Sequence, residues 1–297
     1  MMKSGRAERK RRKSIGVAVI LCTALFLSAC AGSEPVQEQT GQAADWQTER
    51  QNRDRRTKQD SKTMPDDEEE TSHINLDDHK GKIVVAEGGD VWLSGSLEGQ
   101  VVVDAQEDEL VHLYLEDVEI SSGQGPAIRI EEASKVIVTL VSGTGNTLKD
   151  GTDYSDYEEC PACLFSACDL TINGDGTLRV YGYYEDGIRS KDRLKLLSGS
   201  VEVHARGDGI RGNDGILLKD ASVDVQSEGH GLYTVKQGAD DRGVIEIDGG
   251  VLSVVAGQKG IFAASGLYMY RCVCNVNAVE EKVKTEGEAY IADGCLR

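Results

Sequence analysis

Four aspartates recur at a fixed spacing in the C-terminal half of the chain and could bind a cation. Asp186 and Asp208 lie 22 residues apart, each before Gly-Ile-Arg, and Asp192 and Asp214 repeat that spacing six residues later. If the repeats stack as coils about 4.8 Å apart, each pair places one carboxylate above another. Two such charges repel by about 3.5 kcal/mol at an effective dielectric of 20. Calcium would neutralise them, because it binds six to eight oxygen atoms.

A second interpretation of the same aspartates needs no metal. Aspartate before glycine is a favoured turn residue, because its carboxylate accepts hydrogen bonds from nearby backbone amides. Arg189 and Arg211 each follow the isoleucine of the repeat and would also stack, so they could pair with the acids. The sequence leaves both interpretations open: calcium bound by the four aspartates, or turns held by ion pairs.

Side chains suited to a sugar lie beside these acids. Tyr183 and Tyr184 directly precede the first repeat, and Tyr233 continues the ladder of Arg189 and Arg211 one repeat later. Aromatic faces beside hydrogen-bonding groups favour sugar binding, and the arginines would suit an anionic sugar. Loop tyrosines equally often pack against the protein, and that alternative stays open for each of them.

Cleavage of a polysaccharide would need more than binding. A lyase removes the proton beside a uronate carboxylate with a base, while calcium or arginine neutralises that carboxylate. Lys191, Lys236 and Arg211 are candidates by position alone. We therefore treat a uronate lyase as an alternative to a non-catalytic binding protein.

The elements that must position these side chains follow from an internal repeat. Residues 185–194 (EDGIRSKDRL) align with residues 207–216 (GDGIRGNDGI) at an offset of 22. Further copies of the motif occur at 126–128, 162–164, 229–232 and 258–261. A period of this length is typical of a solenoid, in which each repeat forms one coil and stacks on the next.

Short strands with alternating apolar and polar residues lie between these motifs. They occupy residues 194–196, 201–203, 223–225, 245–247 and 251–254. Such alternation predicts strands with one buried face. A β-sandwich also has many short strands, but it does not explain the fixed recurrence of Asp-Gly-Ile. The sequence therefore predicts an all-β fold, a parallel β-helix.

The N-terminus has the features of an exported lipoprotein. Seven Lys/Arg residues precede an apolar run over residues 15–27, which is too short to span a bilayer but suits a signal peptide. The run ends in Leu27-Ser28-Ala29-Cys30, the pattern called a lipobox. We expect cleavage before Cys30, lipid on its thiol, and a protein anchored to the outer side of the bacterial cell membrane. An ordinary cleaved signal peptide is the alternative.

Charge and composition divide the remainder. The whole chain has a net charge of −18, and residues 1–29 have a net charge of +6, so the remainder carries −24. Such a negative charge argues against binding nucleic acid. Residues 30–72 are polar and charged and are predicted to form a disordered linker. Residues 73–297 are rich in Gly, Val, Ile and Leu and suffice for one β-helix domain, which we expect to be monomeric.

The chain after the predicted cleavage site has six cysteines besides the lipidated one: Cys160, Cys163, Cys168, Cys272, Cys274 and Cys295. Outside the cytosol they could form disulfides, and the first three could staple a loop. Cys295 could reach one of the other two near the C-terminus. The pairing cannot be deduced from sequence, and a zinc site lacks a fourth ligand.

Two segments carry a family resemblance besides the Asp-Gly-Ile-Arg blocks. Together with residues 143–151 (GTGNTLKDG) and 164–178 (LFSACDLTINGDGTL), the repeats resemble a family of carbohydrate-binding domains of clostridial-type surface proteins, over roughly residues 80–265. The resemblance implies a right-handed parallel β-helix similar to pectate lyases, calcium binding, and binding of plant-type polysaccharide including acidic sugars. It does not imply catalysis. The chain departs from the family at His230, where a further Asp-Gly is common.

These features together predict a non-catalytic, calcium-assisted polysaccharide-binding lipoprotein. The predicted calcium ligands are Asp186, Asp192, Asp208 and Asp214, and the predicted sugar ligands are Arg189, Arg211, Tyr183, Tyr184 and Tyr233. A calcium-dependent lyase and a purely structural or adhesive surface solenoid are the alternatives.

Overall fold

A computed structural model describes residues 59–64, 71–238 and 241–297. The predicted signal peptide, Cys30 and most of the predicted linker lie outside the described residues. No helix among the described residues is long and apolar enough to cross a membrane.

Strands make up nearly all of the regular structure. Two short 3₁₀ helices are present at Gln59–Ser61 and Leu76–Asp78. The strands in chain order are β1 (Ser72–Asn75), β2 (Gly81–Val85), β3 (Gly89–Asp104), β4 (Leu110–Ser121), β5 (Ile128–Glu132), β6 (Lys135–Leu140), β7 (Gly145–Lys149), β8 (Ala162–Ser166), β9 (Leu170–Gly174), β10 (Thr177–Gly182), β11 (Asp186–Ser190), β12 (Arg193–Leu196), β13 (Ser200–Ala205), β14 (Ile210–Gly212), β15 (Gly215–Lys219), β16 (Ser222–Ser227), β17 (Leu232–Tyr233), β18 (Val244–Asp248), β19 (Val251–Ala256), β20 (Ile261–Ala263), β21 (Gly266–Tyr270), β22 (Val273–Ala278), β23 (Val283–Thr285) and β24 (Glu288–Ile291).

The strands that the structure describes pair in parallel, in three ladders that we call sheets I, II and III. Sheet I contains β1, the first parts of β3 and β4, then β6, β9, β12, β15, β18, β21 and β24. Sheet II contains the middle of β3, the end of β4, then β7, β10, β13, β16, β19 and β22. Sheet III contains β2, the end of β3, then β5, β8, β11, β14, β17, β20 and β23.

The register confirms the predicted repeat. Along sheet III, Ile188 pairs with Ile210 and Ile210 with Leu232, and the same ladder extends back to Leu164 and forward to Ile261. Each coil visits the three sheets in turn before stacking on the next coil. The predicted parallel β-helix is therefore confirmed, and the β-sandwich is excluded because the strand pairs are parallel.

Alternate residues of each strand point into one continuous core. Val201 and Val203 of β13 and Val223 and Val225 of β16 are fully buried and stack in register. Full burial of such a side chain contributes about 1.5–3 kcal/mol, so stacked apolar rungs stabilise each coil through its neighbours.

Close packing at the start of sheet III explains the glycine of the Asp-Gly-Ile motif. A Cβ atom at Gly187 would overlap Val203, and one at Gly209 would overlap Val225 in the same way. Only a residue without a side chain fits there, so the motif recurs with the coil period.

Residues 59–64 differ from the predicted disordered linker. The side chain of Asp60 is fully buried against the outer face of sheet I, where it pairs with Lys135 and Lys195. Composition alone misses this contact, since it depends on charge pairing across more than 70 residues rather than on local apolar content.

Candidate functional site

Asp186 and Asp208, the first pair of predicted calcium ligands, lie where two neighbouring coils enter sheet III. The backbone N–H of Asp208 donates to Asp186 Oδ1 at 2.9 Å, and that of His230 donates to Asp208 Oδ1 at 2.8 Å. The N–H of Lys259 donates to His230 Nδ1 at 3.2 Å. Each of these side chains therefore satisfies a backbone donor of the next coil, as in the turn interpretation. We call the four residues the corner ladder.

The second carboxylate oxygens of the pair face two arginines. Arg189 Nη1 lies 3.5 Å from Asp186 Oδ2, and Arg211 Nη1 lies 3.5 Å from Asp208 Oδ2 and 4.0 Å from Asp186 Oδ2. Burial, followed by the charge on Asp208, raises the pKa of Asp186 to about 7 against the opposing effect of the arginines. Near neutral pH the pair therefore carries less than two negative charges.

The two arginines belong to a ladder on the outer side of sheet III. Arg189 pairs in register with Arg211, Arg211 with Tyr233, and Tyr233 with Phe262. The guanidinium of Arg211 lies over the Tyr233 ring, 5.0 Å from its centroid. Burial, together with the charge of Arg211, lowers the pKa of Arg189. The structure thus brings together three of the five predicted sugar ligands, and we call these four residues the arginine ladder.

Aromatic rings extend this surface beyond the predicted residues. The ring of His230 lies 4.6 Å from that of Tyr233, which lies 5.3 Å from that of Phe262, and Lys259 Nζ lies 5.9 Å from the Phe262 centroid. Phe262 was not predicted as a sugar ligand. The repeat alignment could have identified it, because it is the next rung after Tyr233 once the insertion before β18 is allowed for.

The second pair of predicted acids is neutralised by basic side chains. Lys236 Nζ lies 2.6 Å from Asp214 Oδ1 and 3.8 Å from Asp192 Oδ1, and Arg242 Nε lies 3.7 Å from Asp214 Oδ2. Burial raises the pKa of Asp192, and the charge on Asp214 adds to that shift. This arrangement corresponds to the ion-pair interpretation.

The four predicted calcium ligands already have cationic protein partners. The part of the chain that the structure describes contains no group of three or more His, Cys, Asp or Glu side chains arranged to hold a metal. One acidic pair faces Arg189 and Arg211, and the other faces Lys236. Calcium prefers several uncommitted oxygen ligands, whereas these carboxylates are paired with cations or backbone amides. Calcium binding stays a prediction.

The two predicted tyrosines of the corner have different surroundings. Tyr184 stacks on Tyr154 with the ring centroids 4.1 Å apart, and the Tyr154 hydroxyl donates to Asp150 at 2.8 Å, so Tyr184 packs against the long insertion. Tyr183 is 45% exposed, and its ring stacks on that of Tyr181 at 6.2 Å. Tyr183 therefore stays available to a ligand at the corner between sheets II and III.

The residues considered for a lyase show no catalytic arrangement. Lys236 is paired with the second acidic pair, and Lys191 Nζ lies over the Phe165 ring, 5.4 Å from its centroid. Arg211 is paired with Asp208 and Asp186. Each cation is thus held against other protein groups.

The six described cysteines are free thiols. Cys295 lies beside the other two C-terminal cysteines, since the N–H of Cys272 donates to its sulfur at 3.3 Å and the N–H of Cys274 to its carbonyl at 2.7 Å. Burial raises the pKa of Cys163 well above its usual range. Cys163, Cys272, Cys274 and Cys295 are buried in the structure.

The stacked parallel coils, with arginines and aromatic rings along the outer side of sheet III, place this chain in the class of β-solenoid proteins. Residues 79–294 match the model of a family described as carbohydrate-binding domain-containing protein, and the chain belongs to that family. A protein of Acetivibrio thermocellus with the same description is 31% identical over 296 residues, covering 96% of this chain and 97% of that protein.

A solved structure shares the fold. The gadolinium derivative of the polysaccharide lyase-like protein from C. thermocellum superposes with a TM-score of 0.71 and 25% identity, covering 76% of this chain and 98% of that one. The family resemblance and the fold predicted from sequence are thereby confirmed.

Proposed function

We propose that this protein binds polysaccharide without cleaving it, and that the arginine ladder is the binding surface. The observation that carries the proposal is the in-register stack of Arg189, Arg211 and Tyr233 on the outer side of sheet III. Family membership and the lyase-like fold of the solved neighbour support a polysaccharide as the partner.

The ladder offers two kinds of contact to a sugar chain. The guanidinium groups of Arg189 and Arg211 carry donors in a planar fork that suits hydroxyl and carboxylate oxygens. The rings of Tyr233 and Phe262 present apolar faces beside them. Because successive rungs of a β-helix are spaced by the coil repeat, an extended polymer can contact several rungs at once.

Acidic polymers must overcome the negative charge of the protein. Asp186 and Asp208 lie within 4.0 Å of the arginines and oppose binding of an anion when both are ionised. The raised pKa of Asp186 reduces that opposition near neutral pH. We therefore place uronate-containing plant-type polysaccharides among the ligands, with neutral polymers bound mainly through the rings.

A pull-down on insoluble polysaccharides and a titration with polygalacturonate test this proposal. The Arg189→Ala/Arg211→Ala double variant should lose about tenfold or more in affinity, because two charge-assisted contacts are removed. Arg179→Ala, on the exposed side of sheet II, is the matched control and should bind as the wild type. Equal binding by the double variant would move the site elsewhere.

Two additional measurements test the predicted role of calcium and the alternative of a lyase. Retention that falls when a chelator is added would support the calcium assistance predicted from the sequence, and retention that is unchanged would contradict it. New ultraviolet absorbance from unsaturated uronate products would make the protein a lyase instead of a binding protein.

We further propose that lipid on Cys30 holds the protein at the outer side of the cell membrane. The support is the lipobox that ends the apolar run of residues 15–27. Labelling with a fatty acid should mark the wild-type chain and not Cys30→Ala, and equal labelling of both would contradict the anchor.

A further inference from the structure

The outer face of sheet I carries a second site, away from the arginine ladder, that already holds a carboxylate. Asp60 is fully buried there, with Lys135 Nζ 2.6 Å from Oδ1 and Lys195 Nζ 2.6 Å from Oδ2. The two lysines belong to β6 and β12, two coils apart, and Asp60 spans the strand between them. Among the described residues no other acidic side chain forms an ion pair with either lysine.

Backbone contacts hold the segment around Asp60. Asn173 Nδ2 donates to the carbonyl oxygens of Asp60 and Lys62 at 2.7 and 2.9 Å. Lys62 Nζ lies 3.7 Å from Asp90 Oδ2. We call residues 60–62 the strap, and Lys135, Lys195 and Asn173 the cradle. The cradle therefore combines two ammonium groups for a carboxylate with an amide donor for neutral oxygens.

A buried hydrogen-bond chain orients the cradle. Thr139 Oγ1 donates to Asn173 Oδ1 at 2.5 Å and lies 2.6 Å from His112 Nε2, and the Tyr114 hydroxyl lies 3.0 Å from His112 Nδ1. Burial lowers the pKa of His112 to about 4, so its ring is neutral at pH 7 and can accept one hydrogen bond and donate another. The amide of Asn173 is thus preorganised to donate outward.

Stacked rings continue from the cradle along the same face. The Tyr114 ring lies 4.1 Å from that of His112 and 5.1 Å from that of Trp92, which lies 5.9 Å from that of His73. Tyr114 is buried, whereas Trp92 is half-buried and His73 is exposed. A row of rings beside a carboxylate cradle is the combination that recognises a charged sugar within a chain.

Ion pairs and the hydrogen bonds from Asn173, rather than apolar burial, hold the strap. Its residues are Asp60, Ser61 and Lys62, and it contributes no apolar side chain to the core. A buried ion pair repays little more than the cost of removing both charges from water, so such a contact contributes little net stability. A ligand carboxylate that forms the same ion pairs can therefore displace Asp60.

We propose that the cradle binds a uronate residue of the polysaccharide and that Asp60 is an intramolecular competitor that occupies it without ligand. This assignment rests on the proposed polysaccharide binding and adds a second contact region on another face of the β-helix. Capture of polymer therefore releases the strap, which lies in the sequence between the predicted lipidation site at Cys30 and the β-helix.

Titration of the full mature chain with oligogalacturonate tests the assignment. A strap that is closed about nine-tenths of the time lowers the apparent affinity about tenfold, so Asp60→Asn should bind about tenfold more tightly than the wild type. Asp78→Asn removes one exposed charge outside the cradle and should leave the affinity unchanged. Adding Lys135→Met and Lys195→Met to Asp60→Asn should abolish the gain.

Reductive methylation gives a measurement that does not depend on refolding of the lysine variants. In the wild-type protein, oligogalacturonate should slow the methylation of Lys135 and Lys195 still further. It should also increase hydrogen exchange at the backbone amides of Ser61 and Lys62, because the strap is displaced. Equal affinity of Asp60→Asn and wild type, with binding still lost in the arginine double variant, would overturn the cradle alone. No binding of any polymer by either protein would overturn the proposed function itself.

Discussion

Replacing Asp186 by asparagine probes the charge balance of the corner ladder. Burial and the neighbouring carboxylate raise the pKa of Asp186 from 3.8 to about 7. The folded state therefore binds a proton that the unfolded state has released between these two pH values. Since stability changes with pH in proportion to the difference in bound protons, this group should lower the free energy of unfolding as pH rises.

The expected size follows from the same linkage. One proton of difference corresponds to about 1.4 kcal/mol per pH unit, so between pH 5 and pH 7 the wild type should lose roughly 2–3 kcal/mol through Asp186. The effect levels off above the folded pKa. Asp186→Asn keeps the oxygen that accepts from the N–H of Asp208 and does not titrate, so it should lose none of this stability.

Urea denaturation of wild type and variant at pH 5, 6, 7 and 8 measures the difference. The free energy of unfolding of Asp186→Asn, relative to wild type, should rise by roughly 2–3 kcal/mol from pH 5 to pH 7 and then stay constant. Asp224→Asn, at an exposed position of sheet II, should show no such trend. A difference between Asp186→Asn and wild type that is the same at every pH would refute the raised pKa of Asp186 in the folded protein.

Three other outcomes follow from the contacts. Gly209→Ala should lower the free energy of unfolding by about 1–3 kcal/mol in urea titrations, because the new Cβ would overlap Val225, whereas Gly123→Ala has open space and should cost less than about 1 kcal/mol. Tyr154→Phe should cost about 1–3 kcal/mol in thermal unfolding, because it leaves the buried carboxyl of Asp150 without its side-chain donor. Binding of polygalacturonate, followed by calorimetry, should strengthen as pH falls from 8 to 6, because the carboxyl beside the arginine ladder takes up a proton; affinity that is constant over this range would contradict that effect.

The arginine ladder could be predicted from the sequence because its residues recur with the 22-residue repeat that forms each coil. Arg189 and Arg211 stack for the same reason that Gly187 and Gly209 do, namely that each coil repeats the backbone path of the one before. Alignment of the repeats therefore predicted which side chains share a ladder and continued it to Tyr233.

Contacts that do not repeat from one coil to the next were decided only by the tertiary structure. Tyr183 and Tyr184 are adjacent in sequence, yet one is exposed and the other stacks on Tyr154 of an insertion that has no counterpart in other coils. The two acidic pairs have equal spacing but receive different cations, because Lys236 and Arg242 come from an irregular segment after β17.

The sequence by itself determined the coil, its register, the glycine corners and the ladders, because parallel stacking makes each of them a periodic and nearly local property. Which carboxylates are neutralised, and by which groups, was decided by the folded chain. Asp60 shows this most clearly, since its partners Lys135 and Lys195 lie 75 and 135 residues away. Charge pairing acts through space, and no spacing in the sequence records it.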